Sequence, residues 1–314
     1  MENKKQYDLL TFGDLCVDLM VYGEDVTPEF GQVEKLVGDY YLEMGGSCSI
    51  FACQAARLGL RTAILGKVGR DQFGELILAR LRESGVDTRY VMVDPELKTG
   101  IGVALCRRDG DRAILTYLGS INVLTPADVR DELLVKTRHL HHGSYYLHTG
   151  LRSAIPEIFR RAKKMGLTLS LDTNWDPAER WGEDLGEVIP QVDVFMPNEQ
   201  EALRIAKECS LEGAIKTLHN IGTPLVVVKR GEKGALVSDG ESIRHCTVEP
   251  VSGGDSVGAG DSFDAGFLVG WLGGMSLEDS LQIGCTCGRL VAAQIGGLRG
   301  QPNWEEVVST INMR

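Results

Sequence analysis

The chain has 314 residues and a formal net charge of −11, a balance that argues against nucleic acid or an anionic membrane as partner. Thirty-eight glycines and ordinary aliphatic content suit an α/β protein with many tight strand–helix turns. No apolar run reaches membrane-span length, and MENKKQYDLL lacks the apolar core and cleavage site of a signal peptide, so a cytoplasmic protein is expected.

In chain order, YDLLTFG (7–13) is a short apolar run ending in glycine, the expected first buried strand. Asp14 and Asp18 follow it. Residues 19–44 carry aromatics and alternation without a helical period, and read as one or two strands outside the core, a flap. Gly45 and Gly46 open a helix, SCSIFACQAARLG, before the strand TAILGKVG and the amphipathic helix DQFGELILARLRESG. Residues 99–119 read as a hairpin turning at Arg108–Asp109–Gly110–Asp111, able to pair with the flap. A strict alternation follows: helix 126–135, strand 138–147, helix 153–165, strand 167–172, a short helix, strand 192–196, helices 199–207 and 211–221, and strands 224–229 and 234–238. Two helices, 276–295 and 303–312, close the chain.

Such alternation predicts a mostly parallel sheet covered on both faces, with ligands bound beyond the carboxyl ends of its strands. Polar residues fall just there: Asp14 and Asp18, Asp172 and Asn174, Asn198 and Glu201, and Lys229, Arg230 and Gly231. The eight cysteines are scattered without a C-x-x-C pair and read as reduced thiols. His139, His141 and His142 lie in a strand with no third ligand nearby and read as structural rather than metal-binding.

The stretch SGGDSVGAGDSFDAGFLVG, from Ser252 to Gly270, is a glycine-rich turn opening into a buried helix. Where Gly258, Ala259 and Gly260 lie, a ligand can approach the main chain, and the first helical amides favour an anion, phosphate above all. A carboxylate at Asp261 would repel that anion unless it takes a proton from an attacking hydroxyl; from this stretch alone, helix capping and catalysis both stay open. No G-x-x-x-x-G-K-[ST] loop occurs, and Phe263 stands where a dinucleotide fingerprint needs its third glycine.

DSVGAGDSFDAGF resembles the C-terminal signature of the ribokinase (PfkB) family of sugar kinases, D-T-x-G-A-G-D-x-F, with Ser256 for the threonine. MGGSCSIFACQAARLG resembles the N-terminal signature, and KVGRDQFGE, PNEQE and GDLCVD match further family segments in order along nearly the whole chain. The resemblance implies a single domain over 1–314: a three-layer α/β/α fold with a mostly parallel central sheet, and a small β lid at about 19–44 and 99–119. It implies ATP-dependent phosphorylation of a hydroxyl on a sugar or sugar-like molecule. Asp261 would be the general base and Gly258, Ala259 and Gly260 the anion hole. Asn198, Lys229, Gly231, Ser256 and Thr286 would border ATP, and Glu201 would hold Mg²⁺ through water. Near Asp255 a monovalent cation such as K⁺ would be bound by main-chain oxygens. Asp14, Asp18, Gly45, Gly46 and Asn174 would meet the acceptor, and the lid would exclude water and pair two subunits as a homodimer.

Two departures bear on the acceptor. Ile50 occupies a position where many members carry a sugar-contacting Asn, and LDTNWDPAERW resembles a D-x-N-x-R…W stretch with Asp176 in the arginine's place and Arg180 four residues on. Asp176 argues against a sugar acid unless Arg180 substitutes. Trp175 is read either as a stacking platform or as a packed aromatic. The alternatives are a nucleoside kinase of the same fold and, from other classes, a nucleotide-fold dehydrogenase or a non-catalytic sugar-binding protein.

Overall fold

The computed structural model describes residues 5–107, 111–182 and 184–312. The hairpin turn expected at 108–110 lies outside them. Along the chain come β1 (Tyr7–Phe12), β2 (Cys16–Tyr22), β3 (Asp39–Gly45), α1 (Ser47–Arg57), β4 (Thr62–Gly69), α2 (Gln72–Glu83), β5 (Asp87–Asp94), β6 (Gly100–Cys106) and β7 (Arg112–Tyr117). Then follow α3 (Asp131–Leu134), β8 (Thr137–His142), α4 (Thr149–Arg152), α5 (Ile155–Lys164), β9 (Thr168–Leu171), β10 (Val194–Phe195), α6 (Glu199–Ala206), α7 (Leu211–Ile221) and β11 (Leu225–Lys229). β12 (Ala235–Ser238), β13 (Ile243–Cys246), α8 (Ala259–Leu272), α9 (Leu277–Ala292) and α10 (Trp304–Asn312) complete it.

Nine strands form the main sheet in the order β13-β12-β11-β10-β9-β8-β1-β4-β5, parallel from β11 through β5 and antiparallel at β12 and β13. Successive residues on a strand face opposite sides, and the core divides accordingly. Leu10, Phe12, Phe195, Val226 and Val228 pack with α5 and α7, whereas Leu9, Val194 and Val227 pack with α8 and α1. Burial on both faces explains the near-continuous apolar strands. The chain leaves β1 toward β4 and later returns on β1's other side at β8, so the strand order reverses beside β1, the place where open α/β sheets bind ligands.

A second sheet, β3-β2-β6-β7, forms the lid. Its register puts Leu19, Val21, Tyr40, Leu42, Val103 and Leu115 on one face. Asp18, Met20, Tyr41 and Ala104 stand on the other face, toward the main sheet.

The sequence reading missed β5 and β13. It also carried β8 on to residue 147, whereas the strand stops at His142 and a 3-10 turn, Tyr145–Leu147, follows. The helix expected at 126–135 shrinks to Asp131–Leu134, and the short helix after β9 is two 3-10 turns, Leu185–Glu187 and Ile189–Gln191. His139 bonds Thr168 and Ser170 on β9 at 2.8 and 2.7 Å, and His141 bonds Ser170 at 2.8 Å, so these rings stitch two buried strands together.

Candidate active site

Two helix N-termini converge at the carboxyl edge of the sheet. The first belongs to α1. Asp14, just past β1, accepts from the Ser47 and Cys48 amides at 2.8 and 3.0 Å and from the Ser144 hydroxyl at 3.0 Å. Its side chain is buried with both oxygens engaged. This corrects the expectation that Asp14 meets an acceptor directly: it closes the helix terminus and positions the groups around it.

The second N-terminus belongs to α8 and is open. Gly258, at φ 68°, precedes the helix with no side-chain cap, a backbone conformation that suits glycine. Asp261 stands inside the first turn, so the capping alternative falls away. Asp261 keeps partial exposure, and its carboxyl lies near Ser47, the first residue of α1. Burial, and then the charge of Asp172, push its pKa up to about 7 against the opposing pull of Lys229. Ser47 is bonded by the Asn174 amide, which reaches Ser144 Oγ at 2.8 Å from a left-handed backbone at φ 54°.

Lys229, at the end of β11, runs beneath the α8 terminus: a Cβ on Gly260 would lie 3.7 Å from its Nζ. That Nζ donates to Asp172 at 2.8 Å and Asp264 at 2.9 Å. Burial works against the lysine charge, but Asp172 and Asp264 outweigh it and hold its pKa above the ordinary value. The sequence reading gave Lys229 to the triphosphate; the structure shows its charge already matched by two carboxylates.

Asn198 and Glu201 form a complete capping box on α6, with Glu201 accepting from the Asn198 amide at 2.9 Å and the Asn198 side chain accepting from the Glu201 amide at 2.9 Å. Yet Glu201 is buried, and burial followed by the charge of Asp172 raises its pKa to about 7. A carboxylate needed only as a cap does not require that cost. Asn198 also bridges to Lys229, which joins the two motifs.

On the lid, Asp18 leans over a glycine floor. A side chain at Gly45 would collide with its carboxylate, and a Cβ at Gly102 would lie 2.8 Å from Oδ1. Burial and then Asp14 raise the Asp18 pKa to about 6, with Arg112 opposing. Gly46 packs on the Asp14 carbonyl. Tyr22 of β2 donates to Asp255 at 2.9 Å, while Asp255 also accepts from the Val257 and Gly296 amides at 2.9 and 3.2 Å. The lid is thereby tied to the loop that leads into α8.

Between lid, α8 and α9 lies a cavity of about 630 Å³. Lys229, Gly231, Ser256, Ala259 and Gly260 line it as expected. Thr286 does not: it is buried on another side of α9, and Cys285, Gly288, Arg289 and Ala292 face the cavity instead. The sequence reading placed Asp172 beyond a strand end but gave it no role, and it gave none to Ser47, Ser144 or Asp264, whose partners are distant in sequence. Ile50 is buried and seals the seam between α1 and the turn at Gly258 and Gly297. Asp176 faces inward and caps the amides of Ala178, Arg180 and Trp181, so its charge says nothing against an acidic acceptor. Trp175 packs edge-on against Trp181 under Arg204.

The sequence profile described as pfkB family carbohydrate kinase matches residues 6–304. The chain is 27% identical to an ATP-dependent 6-phosphofructokinase of Thermoanaerobacterium thermosaccharolyticum, over 99% of this chain and 95% of that protein. It is 28% identical to a 2-dehydro-3-deoxygluconokinase of Bacillus subtilis, over 97% and 95%. A chain from E. coli solved in complex with ATP and Mg²⁺ superposes with a TM-score of 0.86 at 26% identity, covering 98% of this chain and all of that one.

Proposed function

Since the chain belongs to the pfkB family of carbohydrate kinases, we propose that its two converging helix termini perform phosphoryl transfer from ATP to a sugar hydroxyl, with Asp261 as general base. One observation carries this reading: a carboxyl with a pKa raised to about 7 sits in the first turn of an uncapped, glycine-lined helix. The Asp261 carboxylate takes the proton as the hydroxyl oxygen bonds to the γ-phosphorus and the bond to the β-phosphate oxygen breaks. Gly258 and Gly260 offer main-chain amides to the charge on the moving phosphoryl group, and the Ala259 amide, held by the Ser256 carbonyl at 3.4 Å, would turn to join them. Asp18, Asn174, Gly45 and Gly46 form the acceptor side, with Ser47 and Asp14 holding it in place.

Glu201 suits a divalent cation: it is a buried carboxylate whose pKa is raised first by burial and then by the charge of Asp172, and a cation beside it would offset that cost. Glu201 would hold Mg²⁺ through water with Asn198 beside the phosphates, and the ion would offset the charge that Lys229 cannot. Main-chain oxygens of the loops joined by Asp255 are the proposed site of a monovalent cation such as K⁺. Apolar side chains on the outer lid face, Tyr40, Leu42 and Leu115 among them, are exposed and would be covered in a homodimer. Sedimentation of the full chain should give twice the chain mass; a monomer at micromolar concentration refutes the lid pairing.

The relatives phosphorylate a sugar phosphate and a sugar acid by name, so the acceptor class stays wider than a neutral hexose. ADP release across pentoses, hexoses, sugar acids, sugar phosphates and nucleosides identifies it. With that acceptor, Asp261→Asn should lower turnover by roughly 10²–10⁴-fold while ATP binding survives. Near-normal turnover would remove Asp261 as the base.

A further inference from the structure

We infer that Arg289 reads the base of the donor nucleotide, an assignment that rests on the kinase reading above. Arg289 lies on α9 one turn beyond Cys285 and one before Ala292, and all three face the 630 Å³ cavity. Its Nε is buried and has no acceptor, and no carboxylate pairs with its guanidinium among the described residues. A buried donor left without an acceptor forgoes the hydrogen bond it had in water. Lys229, which lines the same cavity, is the contrast: two carboxylates already hold it.

What Arg289 lacks, a ligand can provide. The turn of α9 that carries it is pressed against the start of α8, since a Cβ on Gly288 would lie 3.0 Å from the Ala259 carbonyl oxygen. A nucleotide whose phosphates are drawn to the α8 terminus would therefore have Arg289 within reach of its base. The cavity wall there is apolar, with Val251, Ala292 and Ile295. Arg107 and Arg112 also line the cavity, but on α9 Arg289 is the cation that stands beside this apolar wall. A planar cation in that place suits a heterocycle: ring nitrogens accept its N–H groups, and the ring face can lie against the guanidinium.

The test is calorimetric titration of the full-length protein with Mg²⁺·ATP and, separately, with tripolyphosphate, which has the phosphates and no base. Arg289→Met should weaken ATP by about tenfold or more, the loss expected of one hydrogen bond to a charged donor, and leave tripolyphosphate within twofold. Arg289→Lys keeps the charge but not the planar fork. It should also lose ATP affinity selectively, and it serves if the methionine variant does not fold. Unchanged ATP affinity in a folded variant overturns the proposal. So does an equal loss for both ligands, which would make Arg289 a phosphate contact. A wild-type protein that binds tripolyphosphate and ATP equally well overturns it while leaving Asp261 its role; one that binds neither sinks the kinase reading, and the Arg289 assignment with it.

Discussion

α1 and α8 meet at their N-termini, yet one is closed and the other open. Asp14 fills the α1 terminus with two backbone hydrogen bonds and is buried. α8 begins at a left-handed glycine with no side chain over its amides, and its carboxylate, Asp261, stands aside in the first turn. The same partial positive charge is satisfied internally in one helix and kept for a ligand in the other. A capped terminus contributes stability; an uncapped one at a cleft forgoes it for binding.

Exchanging these properties breaks the comparison hardest. Ala259→Asp would put a carboxylate on the open terminus, where it repels phosphate. At an effective dielectric near 20 that repulsion is about 3 kcal/mol, so nucleotide affinity should fall on the order of 100-fold. The folded protein should lose nothing, and should gain up to about 1 kcal/mol from the helix dipole. Titration and denaturant melts measure the two together. Unchanged nucleotide affinity would mean that the α8 terminus is not where the phosphates go.

The converse change opens the closed terminus. Asp14→Ala leaves the Ser47 and Cys48 amides and the Ser144 hydroxyl without their acceptor. Loss of a buried cap with several donors should cost about 2–3 kcal/mol in a urea melt, with a shift in midpoint and little change in slope. A wild-type midpoint would show that Asp14 is not the closure it is taken for.

The open terminus was legible in the sequence because its signal is local: glycines followed at once by an apolar helix. The closed one was not. Asp14 caps a helix 33 residues away, and Lys229 meets carboxylates 57 and 35 residues distant, pairings that only the sheet order creates. The alternation of strands and helices gave the layers, but β5 escaped because its residues are mostly half-exposed and show no two-residue period. Thr286 was placed on the wrong face for a related reason. Cys285, Thr286, Cys287 and Gly288 are all small, so their periodicity does not say which of them faces the cavity.

The smallest expected effect concerns what the open arrangement costs. The Asp261 pKa is about 7 in the folded protein and near 3.8 when unperturbed. Between those values the folded state binds more protons than the unfolded one, so stability drawn from this group falls as pH rises and is fully lost above about 7. Asp261→Asn removes the ionisation. It should match wild type near pH 4 and be the more stable at pH 8, by about 1–2 kcal/mol once residual solvent access is allowed for. The same variant is expected to lose most of its turnover, so one substitution would separate stability from function at a single carboxyl. Parallel melting curves for the two proteins from pH 5 to 8 would mean that Asp261 is not held in its charged form at a cost, and the contrast between the two helix termini would then rest on geometry alone.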